Sequence, residues 1–185
     1  MRPKLQGGFY DDDRQSSPAF SSTGLGIGGA LIQIDSTRFL GQYCTVSFLP
    51  PYGLLECVLL QLQAGKFEGN NTVLLGVMTE PALFSGPWHR IMSPNGLVAV
   101  GDLLGRLARS FGVVRRPAPT KCQSFVIDPE GIVRYHLAHD LNQRGVAALL
   151  EILKASQVPE LRRSLTNSRQ TERQNQETTS LLRAH

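Results

Sequence analysis

The sequence predicts an α/β domain in which helices flank a mixed β-sheet, and two observations carry that prediction. Short β-branched and apolar runs alternate with longer segments whose apolar residues recur at helical spacing. The last two of the short runs flank the tetrapeptide Asp128–Gly131, where proline presets φ and glycine accepts a positive φ. The resulting order, β-α-β-α-β-β-α, is that of a mixed sheet with helices on both faces.

The individual elements follow from the same patterns. The predicted strands are Tyr43–Phe48, Thr72–Met78, Ser124–Ile127 and Ile132–Leu137. The predicted helices are Cys57–Phe67, Asp102–Phe111 and Arg144–Ala155. Asp102 is suited to cap the start of the second helix and Gly112 its end. Gly65 lies inside the first helix, where glycine weakens helical structure, so we expect this helix to be short.

The length of the chain, 185 residues, allows one substantial hydrophobic core rather than two. We therefore expect one folded domain over residues 29–155. A flexible segment, 1–28, precedes it, and a polar, disordered tail, 156–185, follows it. The glycine-rich run at 24–29 lacks the preceding strand and following helix of a phosphate-binding loop, and we expect it to be a flexible approach to the fold.

Charge and cysteine content exclude several classes of function. The net charge is +4, but basic residues are scattered among acids without a basic block, which argues against nucleic-acid binding. No apolar run reaches the roughly 20 residues that span a bilayer, and no secretion signal is present, so no membrane association is expected. Three unclustered cysteines do not form a disulfide framework, which indicates a reducing compartment, most simply the cytoplasm.

The segment from Phe48 to Cys57 has the features that mount a reactive thiol. It ends an apolar strand, turns through Pro50, Pro51 and Gly53, and delivers Cys57 to the start of an apolar helix. A sulfur at a helix N-terminus lies near unpaired backbone N–H groups and the positive end of the helix dipole, which stabilise thiolate. The sequence therefore predicts a nucleophilic cysteine at this position.

Several segments also fall in an order that is similar to the peroxiredoxin family. They are Tyr43–Cys57, Leu74–Val77, Gly101–Val113 and Phe125–Arg134, and the chain resembles peroxiredoxins over about residues 18–155. The resemblance implies a thioredoxin-like fold and reduction of hydrogen peroxide or organic hydroperoxides by a cysteine that becomes sulfenic acid. It also implies thioredoxin or another thiol as the reductant, no cofactor, and a homodimer formed through sheet edges or helix faces.

The family's active-site pattern, Pro-x-x-x-Thr-x-x-Cys, aligns with Pro50, Leu54 and Cys57. Leu54 replaces the threonine whose hydroxyl helps to orient the peroxide. Cys122 stands where the family carries an arginine that stabilises the thiolate and holds the peroxide oxygens. Lys121 compensates for that loss only if the strand slips or bulges, because successive residues of a strand point to opposite faces. The resemblance thus implies a site that retains its nucleophile and has lost much of its activation.

The role of each cysteine stays open at this point. The family's second cysteine is missing from the equivalent C-terminal segment, 157–160, so a peroxidase cycle uses Cys57 alone or involves Cys44 or Cys122. Cys122 is a candidate resolving or pairing partner of Cys57, although a disulfide requires Cα atoms about 4.4–6.8 Å apart and cysteine is much shorter than arginine. Cys44 lies in a predicted central strand and is expected to be inert.

Two functions therefore remain: a thiol peroxidase that acts through Cys57, and a peroxiredoxin-fold protein that has lost catalysis and serves as an interaction or redox-sensing module. A metal centre at His136 and His139 is not expected, because residues three apart on a strand face opposite ways and no further ligand lies near in sequence.

Overall fold

The computed structural model describes residues 8–9, 16–25, 30–50, 54–78, 97–113 and 121–158, and of residues 54–57 it describes the backbone. The chain divides into two compact units after Leu150. None of the helices in these described ranges is long and apolar enough to cross a membrane.

A mixed sheet organises the first unit. Its strands are β1 (Gly8–Phe9), β2 (Ser21–Leu25), β3 (Leu31–Asp35), β4 (Tyr43–Phe48), β5 (Thr72–Met78), β6 (Leu97–Gly101), β7 (Cys122–Ile127) and β8 (Val133–His139). They lie in the order β1-β8-β7-β4-β5-β6-β2-β3. The central strands β4, β5 and β6 are parallel, and the flanking strands pair antiparallel. The predicted α/β fold with a mixed sheet is confirmed.

Helix α1 (Leu54–Glu68) connects β4 to β5 and has 15 residues, so the expectation of a short helix was wrong. Its buried residues Leu60, Ala64 and Phe67 recur at a spacing of four and three, which places them on one face. That face packs on β5. Burial of these side chains outweighs the roughly 1 kcal/mol that Gly65 costs in a helix interior.

Helix α2 (Arg106–Ser110) is shorter than the predicted Asp102–Phe111. The Asp102 carboxylate accepts hydrogen bonds from the backbone N–H groups of Leu107, at 3.2 Å, and Ala108, at 2.9 Å. Asp102 thus caps the helix from four residues before its start, while Gly105 turns the chain with φ of 64°. The predicted capping residue is correct, and the predicted starting point is not.

The two faces of the sheet have different compositions. On one, which we call the α2 face, Cys44, Val46 and Phe48 of β4 join a hydrophobic cluster that includes Leu107 and Ala108 of α2. The alternate residues of β4, among them Thr45 and Ser47, point to the opposite face. The buried residues of α1 do not belong to the α2-face cluster, and we infer that α1 packs on this second face, the α1 face.

Part of the N-terminal segment predicted to be flexible belongs to the sheet. Strand β2 pairs with both β3 and β6, and β1 pairs with β8. Gly24 of β2 packs closely: a Cβ there would overlap Ile34 Cδ1 and lie 2.6 Å from the Ala99 carbonyl oxygen. The expectation is thus corrected for these residues, because Ser21–Leu25 gains order from long-range pairing and not from its own composition. The domain boundaries as a whole stay predictions.

Two glycines give a matched test of this packing. Gly24→Ala is expected to destabilise the protein by about 1–3 kcal/mol, because the backbone oxygen of Ala99 cannot move aside cheaply. Gly65→Ala is expected to stabilise it by up to about 1 kcal/mol, because a Cβ at that helical position meets no atom within 4 Å. Urea unfolding of both variants checks the pair, and equal effects would contradict the close approach at Gly24.

The turn between β7 and β8 is confirmed. Asp128 Oδ1 accepts hydrogen bonds from the N–H groups of Glu130, at 3.0 Å, and Ile132, at 2.8 Å. Gly131 has φ of 78° and donates its N–H to the Asp128 carbonyl oxygen. Arg134 pairs with Asp128 Oδ2 across the hairpin. The hairpin fixes the register that aligns the residues of β7 and β8.

The last helix, α3, covers residues 143–158 and therefore extends past the predicted end at Ala155. Val146 and Leu149 are buried within the first unit. In the second unit, an ion pair between Lys154 and Glu151 supports the helical residues 151–158. The predicted disordered tail beyond residue 158 lies outside the described residues.

Candidate active site

The segment that carries the predicted nucleophile leaves the sheet at the carboxyl end of β4. Leu49 donates its N–H to the Val77 carbonyl oxygen at 2.9 Å, which extends the pairing of β4 with β5 by one residue. Pro50 follows and is partly buried. Residues 51–53 lie outside the described part of the chain, and α1 begins at Leu54.

Cys57 is the fourth residue of α1, within its first turn. The N–H groups of a helix's first turn have no partner inside the helix, and the aligned peptide dipoles place partial positive charge at this end. The backbone around Cys57 therefore has the form that stabilises an anion. Leu54, which takes the place of the family's threonine, is the first residue of the same helix.

Cys122 begins β7, next to the point where β4 ends. The two strands are antiparallel, and Gln123 pairs with Phe48, the last residue of β4. The first residue of β7 and the start of the segment leading to Cys57 are thus at the same end of the sheet. The Cys122 side chain is 0% exposed. Lys121, by contrast, is exposed and precedes the strand, and the irregularity between β7 and β8 falls at Val126 and Ile127, away from Cys122.

Cys122 belongs to a buried polar cluster on the α1 face. Ser124 Oγ lies 2.8 Å from Ser47 Oγ, 2.8 Å from His139 Nε2 and 3.6 Å from Cys122 Sγ. All four side chains are buried. They come from three adjacent strands, β4, β7 and β8. We call Cys122, Ser124, His139 and Ser47 the serine-centred cluster.

The directions of these hydrogen bonds follow from His139. Its Nδ1 lies 3.2 Å from the Asp140 carbonyl oxygen, which only accepts, so Nδ1 carries the proton. In neutral imidazole Nε2 then accepts, and Ser124 donates its proton to it. Ser124 Oγ therefore accepts from Ser47 and from the Cys122 thiol. The Ser124 hydroxyl thus makes one hydrogen bond as donor and two as acceptor, so it is fully satisfied, as a buried hydroxyl requires.

His136 belongs to a separate cluster on the α2 face. Its Nε2 lies 2.9 Å from Gln123 Oε1, and its ring stacks on Phe125 with centroids 4.4 Å apart. Strand alternation places His136 and His139 on opposite faces of β8, as expected. No group of three or more side chains suited to bind a metal is found among the described residues.

The two histidines make stability depend on pH. Burial lowers the pKa of both below the ordinary value of 6.5, although for His139 the carbonyl and the charge of Asp140 oppose the shift. The unfolded chain therefore binds more protons than the folded one below pH 6.5, and stability falls as the pH falls from that value towards the lowered pKa values. We expect Tm to decrease as the pH is lowered below 6.5. His139→Gln should flatten this decrease, and an unchanged slope in thermal melts would contradict the assignment.

The third cysteine lies away from this end of the sheet. Cys44 is in the α2-face cluster, and its burial strongly raises the pKa of its thiol, so it stays protonated. The Cys44 thiol is free. The expectation that Cys44 packs in the core agrees with this placement.

Sequence reasoning identified Cys122 but missed Ser47, Ser124 and His139 as its neighbours. The spacing of two between Cys122 and Ser124 does place both on one face of a strand. The contacts with Ser47 and His139, however, depend on strand pairing across 77 and 15 residues.

Comparisons with known proteins complete the description of the site. No family model matches the chain. Peroxiredoxin TSA1 of Saccharomyces cerevisiae is 23% identical over 156 residues, which cover 78% of this chain and 79% of that protein. The mitochondrial thioredoxin-dependent peroxide reductase of Mus musculus is 25% identical over 158 residues, 79% of this chain but only 61% of the mouse protein.

Solved structures agree on the fold. AhpC of Mycobacterium tuberculosis superposes with a TM-score of 0.66 and 21% identity, covering 80% of this chain and 94% of that one. The reduced 2-Cys peroxiredoxin of Plasmodium vivax gives a TM-score of 0.63 and 19% identity, covering 78% and 96%. The chain therefore has the thioredoxin-like fold of the peroxiredoxins and a divergent sequence that resembles theirs, which confirms the predicted resemblance.

Proposed function

We propose that the protein is a thiol peroxidase of the peroxiredoxin type, in which the Cys57 thiolate reduces hydrogen peroxide or an organic hydroperoxide. One observation carries the proposal: Cys57 lies in the first turn of a 15-residue helix that follows the central strand β4 and Pro50 within a peroxiredoxin-like fold. The thiolate attacks one peroxide oxygen, becomes sulfenic acid, and releases water or an alcohol. The biological role would be antioxidant defence.

The activity is expected to be weaker than that of a complete peroxiredoxin site. Leucine at position 54 offers no hydroxyl to the peroxide, and Cys122 offers no guanidinium. Cys122 is turned instead into a cluster of uncharged groups with Ser124 and His139. The anion at Cys57 then depends mainly on the amide groups and dipole of α1. Pro50 would limit access of solvent to the sulfur.

An external thiol is needed to return the sulfenic acid to thiol. Thioredoxin is the first candidate, since one of the relatives is named a thioredoxin-dependent peroxide reductase. A homodimer in the cytoplasm completes the proposal. The free thiol of Cys44 is compatible with that reducing compartment, although the same relative is a mitochondrial protein.

A second candidate function is a catalytically inactive module for protein interaction or redox sensing. The buried position of Cys122 favours it, because a 0% exposed thiol stands where the resemblance expects an arginine that touches substrate. Such a protein would keep the fold without turning over peroxide.

The rate of peroxide consumption separates the two candidates. The purified protein is mixed with hydrogen peroxide or an alkyl hydroperoxide, with thioredoxin and its reductase as the regenerating system. Sulfenic acid is trapped with dimedone and located by peptide mass spectrometry. A peroxidase reacts faster than a free model thiol and is labelled at Cys57. A rate no higher than that of the free thiol would end the first candidate and leave the second.

A further inference from the structure

The serine-centred cluster gives Cys122 a route for losing its proton. The Cys122 thiol donates to Ser124 Oγ over 3.6 Å, and Ser124 donates to His139 Nε2 over 2.8 Å. A proton can pass from sulfur to serine while the serine proton passes to the imidazole. A neutral histidine with an unprotonated ring nitrogen is the usual general base of thiol chemistry. Cys122 is therefore coupled to a base although it touches no charged group in the cluster.

Burial limits what Cys122 can react with. At 0% exposure its sulfur is out of reach of dissolved thiols and protein partners, so its reaction partner must lie inside the protein. Gln123 pairs with Phe48 in the antiparallel strands β7 and β4. Cys122 precedes Gln123 and therefore lies beside Leu49, the point where the chain leaves β4. Cys122 also faces the α1 side of the sheet, the side on which we infer that the helix carrying Cys57 packs.

We propose that Cys122 is the resolving thiol for an oxidised Cys57, and that Ser124 and His139 carry away its proton. The proposal rests on the proposed function, because it takes a Cys57 sulfenic acid as its substrate. It assigns a role to the residue that replaces the family's arginine. An arginine at this position would speed the oxidation of Cys57, whereas a cysteine would convert the Cys57 sulfenic acid to a disulfide and so complete the peroxidase cycle. It also implies that the external reductant acts on a disulfide instead of a sulfenic acid.

The step balances without any further oxidant. The Cys122 sulfur supplies the electron pair for the new S–S bond to Cys57, the S–O bond of the sulfenic acid breaks, and hydroxide leaves. The thiol proton moves to Ser124 as the Ser124 proton moves to His139. The imidazolium then gives a proton to the hydroxide, so the products are the Cys57–Cys122 disulfide, water and neutral His139. An external dithiol reduces the disulfide.

The closing step can be measured without peroxide. Treating the reduced full-length chain with 2,2′-dithiodipyridine converts Cys57 to a mixed disulfide and releases one thiopyridone. Attack by Cys122 on that mixed disulfide releases a second thiopyridone and forms the same Cys57–Cys122 bond, which peptide mapping identifies. In parallel, peroxide is added and the dimedone-reactive sulfenic acid is followed over time. In the wild type we expect the second release, and we expect the sulfenic acid to decay into the disulfide.

Variants of the cluster separate a relay from simple packing. Cys122→Ser should leave the first thiopyridone release and abolish the second. Ser124→Ala and His139→Gln should slow the second release by roughly 10²–10⁴-fold, the usual loss for a missing general base, and leave the first unchanged. Ser124→Thr keeps the hydroxyl and should restore most of the rate if Ser124→Ala proves poorly folded.

One control removes a buried hydrogen bond outside the serine-centred cluster. His136→Gln alters the other buried histidine of β8, which lies on the opposite face of the sheet. It should lower Tm without slowing disulfide formation by more than about twofold. If it slows disulfide formation as much as Ser124→Ala does, the cluster acts only through packing and the relay is wrong.

The two proposals fail differently. Absence of the Cys57–Cys122 bond after both dithiodipyridine and peroxide would overturn the resolving role of Cys122, even if Cys57 is labelled by dimedone. Formation of that bond with dithiodipyridine, but no reaction of Cys57 with peroxide, would instead overturn the peroxidase function. A second release that is equally fast in Ser124→Ala and His139→Gln would leave Cys122 as the partner and overturn the relay.

Discussion

Replacing Cys57 with serine is expected to abolish peroxide consumption, reducing it to the rate of a blank without protein. Serine keeps nearly the same size and the same place in the first turn of α1, but its hydroxyl is not ionised near neutral pH and is a weak nucleophile without a base. The chemistry therefore disappears while the fold persists. The measurement is the second-order rate with hydrogen peroxide, together with circular dichroism to show that the helix is intact.

Cys44→Ala is the matched control, because it also removes a thiol but from the α2-face cluster. It should leave the rate within about twofold of the wild type and cost on the order of 1 kcal/mol of stability as a small cavity. A Cys57→Ser variant that still consumes peroxide would mean that another thiol is the nucleophile. Loss of activity in Cys44→Ala and not in Cys57→Ser would assign that role to a residue whose pKa burial raises strongly.

The central strands were predictable because their own residues specify strand structure without help from distant parts of the chain. Strands β4 and β5 have the predicted bounds, Tyr43–Phe48 and Thr72–Met78, since each is a continuous apolar or β-branched run buried on both sides. The edge region was not predictable. Leu97–Gly101 is short and ends in glycine, and Ser21–Leu25 is rich in serine, so their strand structure comes from pairing with each other and with β5.

The residues of the candidate site also differ in whether the sequence alone could locate them. Pro50, Leu54 and Cys57 lie within eight residues of one another, so local pattern alone locates the turn and the start of the helix. The cluster around Ser124 joins three strands whose register is set by the whole sheet. No local signal in the sequence says that Ser47 and His139 meet at one hydroxyl. That is why the surroundings of Cys122 emerged only from the fold.

Those surroundings bear on how the proposed thiolate at Cys57 would be stabilised. The serine-centred cluster is neutral, because burial lowers the pKa of His139 and its partners are hydroxyls and a thiol. Neutral groups supply no opposite charge to stabilise a neighbouring anion. A guanidinium at position 122 would offer up to five fixed donors and a permanent charge. We therefore expect the residue at position 122 to affect the rate of the proposed oxidation of Cys57.

Leu54→Thr combined with Cys122→Arg is therefore expected to accelerate the oxidation of Cys57. A charge-assisted hydrogen bond contributes about 1.5–3 kcal/mol, which corresponds to roughly a ten- to hundredfold gain in rate. The gain applies to the first step in a single turnover, measured by rapid mixing with hydrogen peroxide and dimedone trapping. The double variant should at the same time lose the Cys57–Cys122 disulfide, since its resolving thiol is gone.

Gln123→Arg, together with Leu54→Thr, is the control for charge alone. It places the same guanidinium one residue along β7, where strand alternation directs it to the opposite face beside His136. It should leave the rate of Cys57 oxidation within about threefold of Leu54→Thr alone, because long-range attraction between partly exposed charges is screened. An equal gain from both arginine variants would show that net charge, and not a donor directed at the sulfur, limits the reaction. No gain from Cys122→Arg in a stably folded variant would mean that the backbone around Cys57, and not the missing side chains, sets the rate.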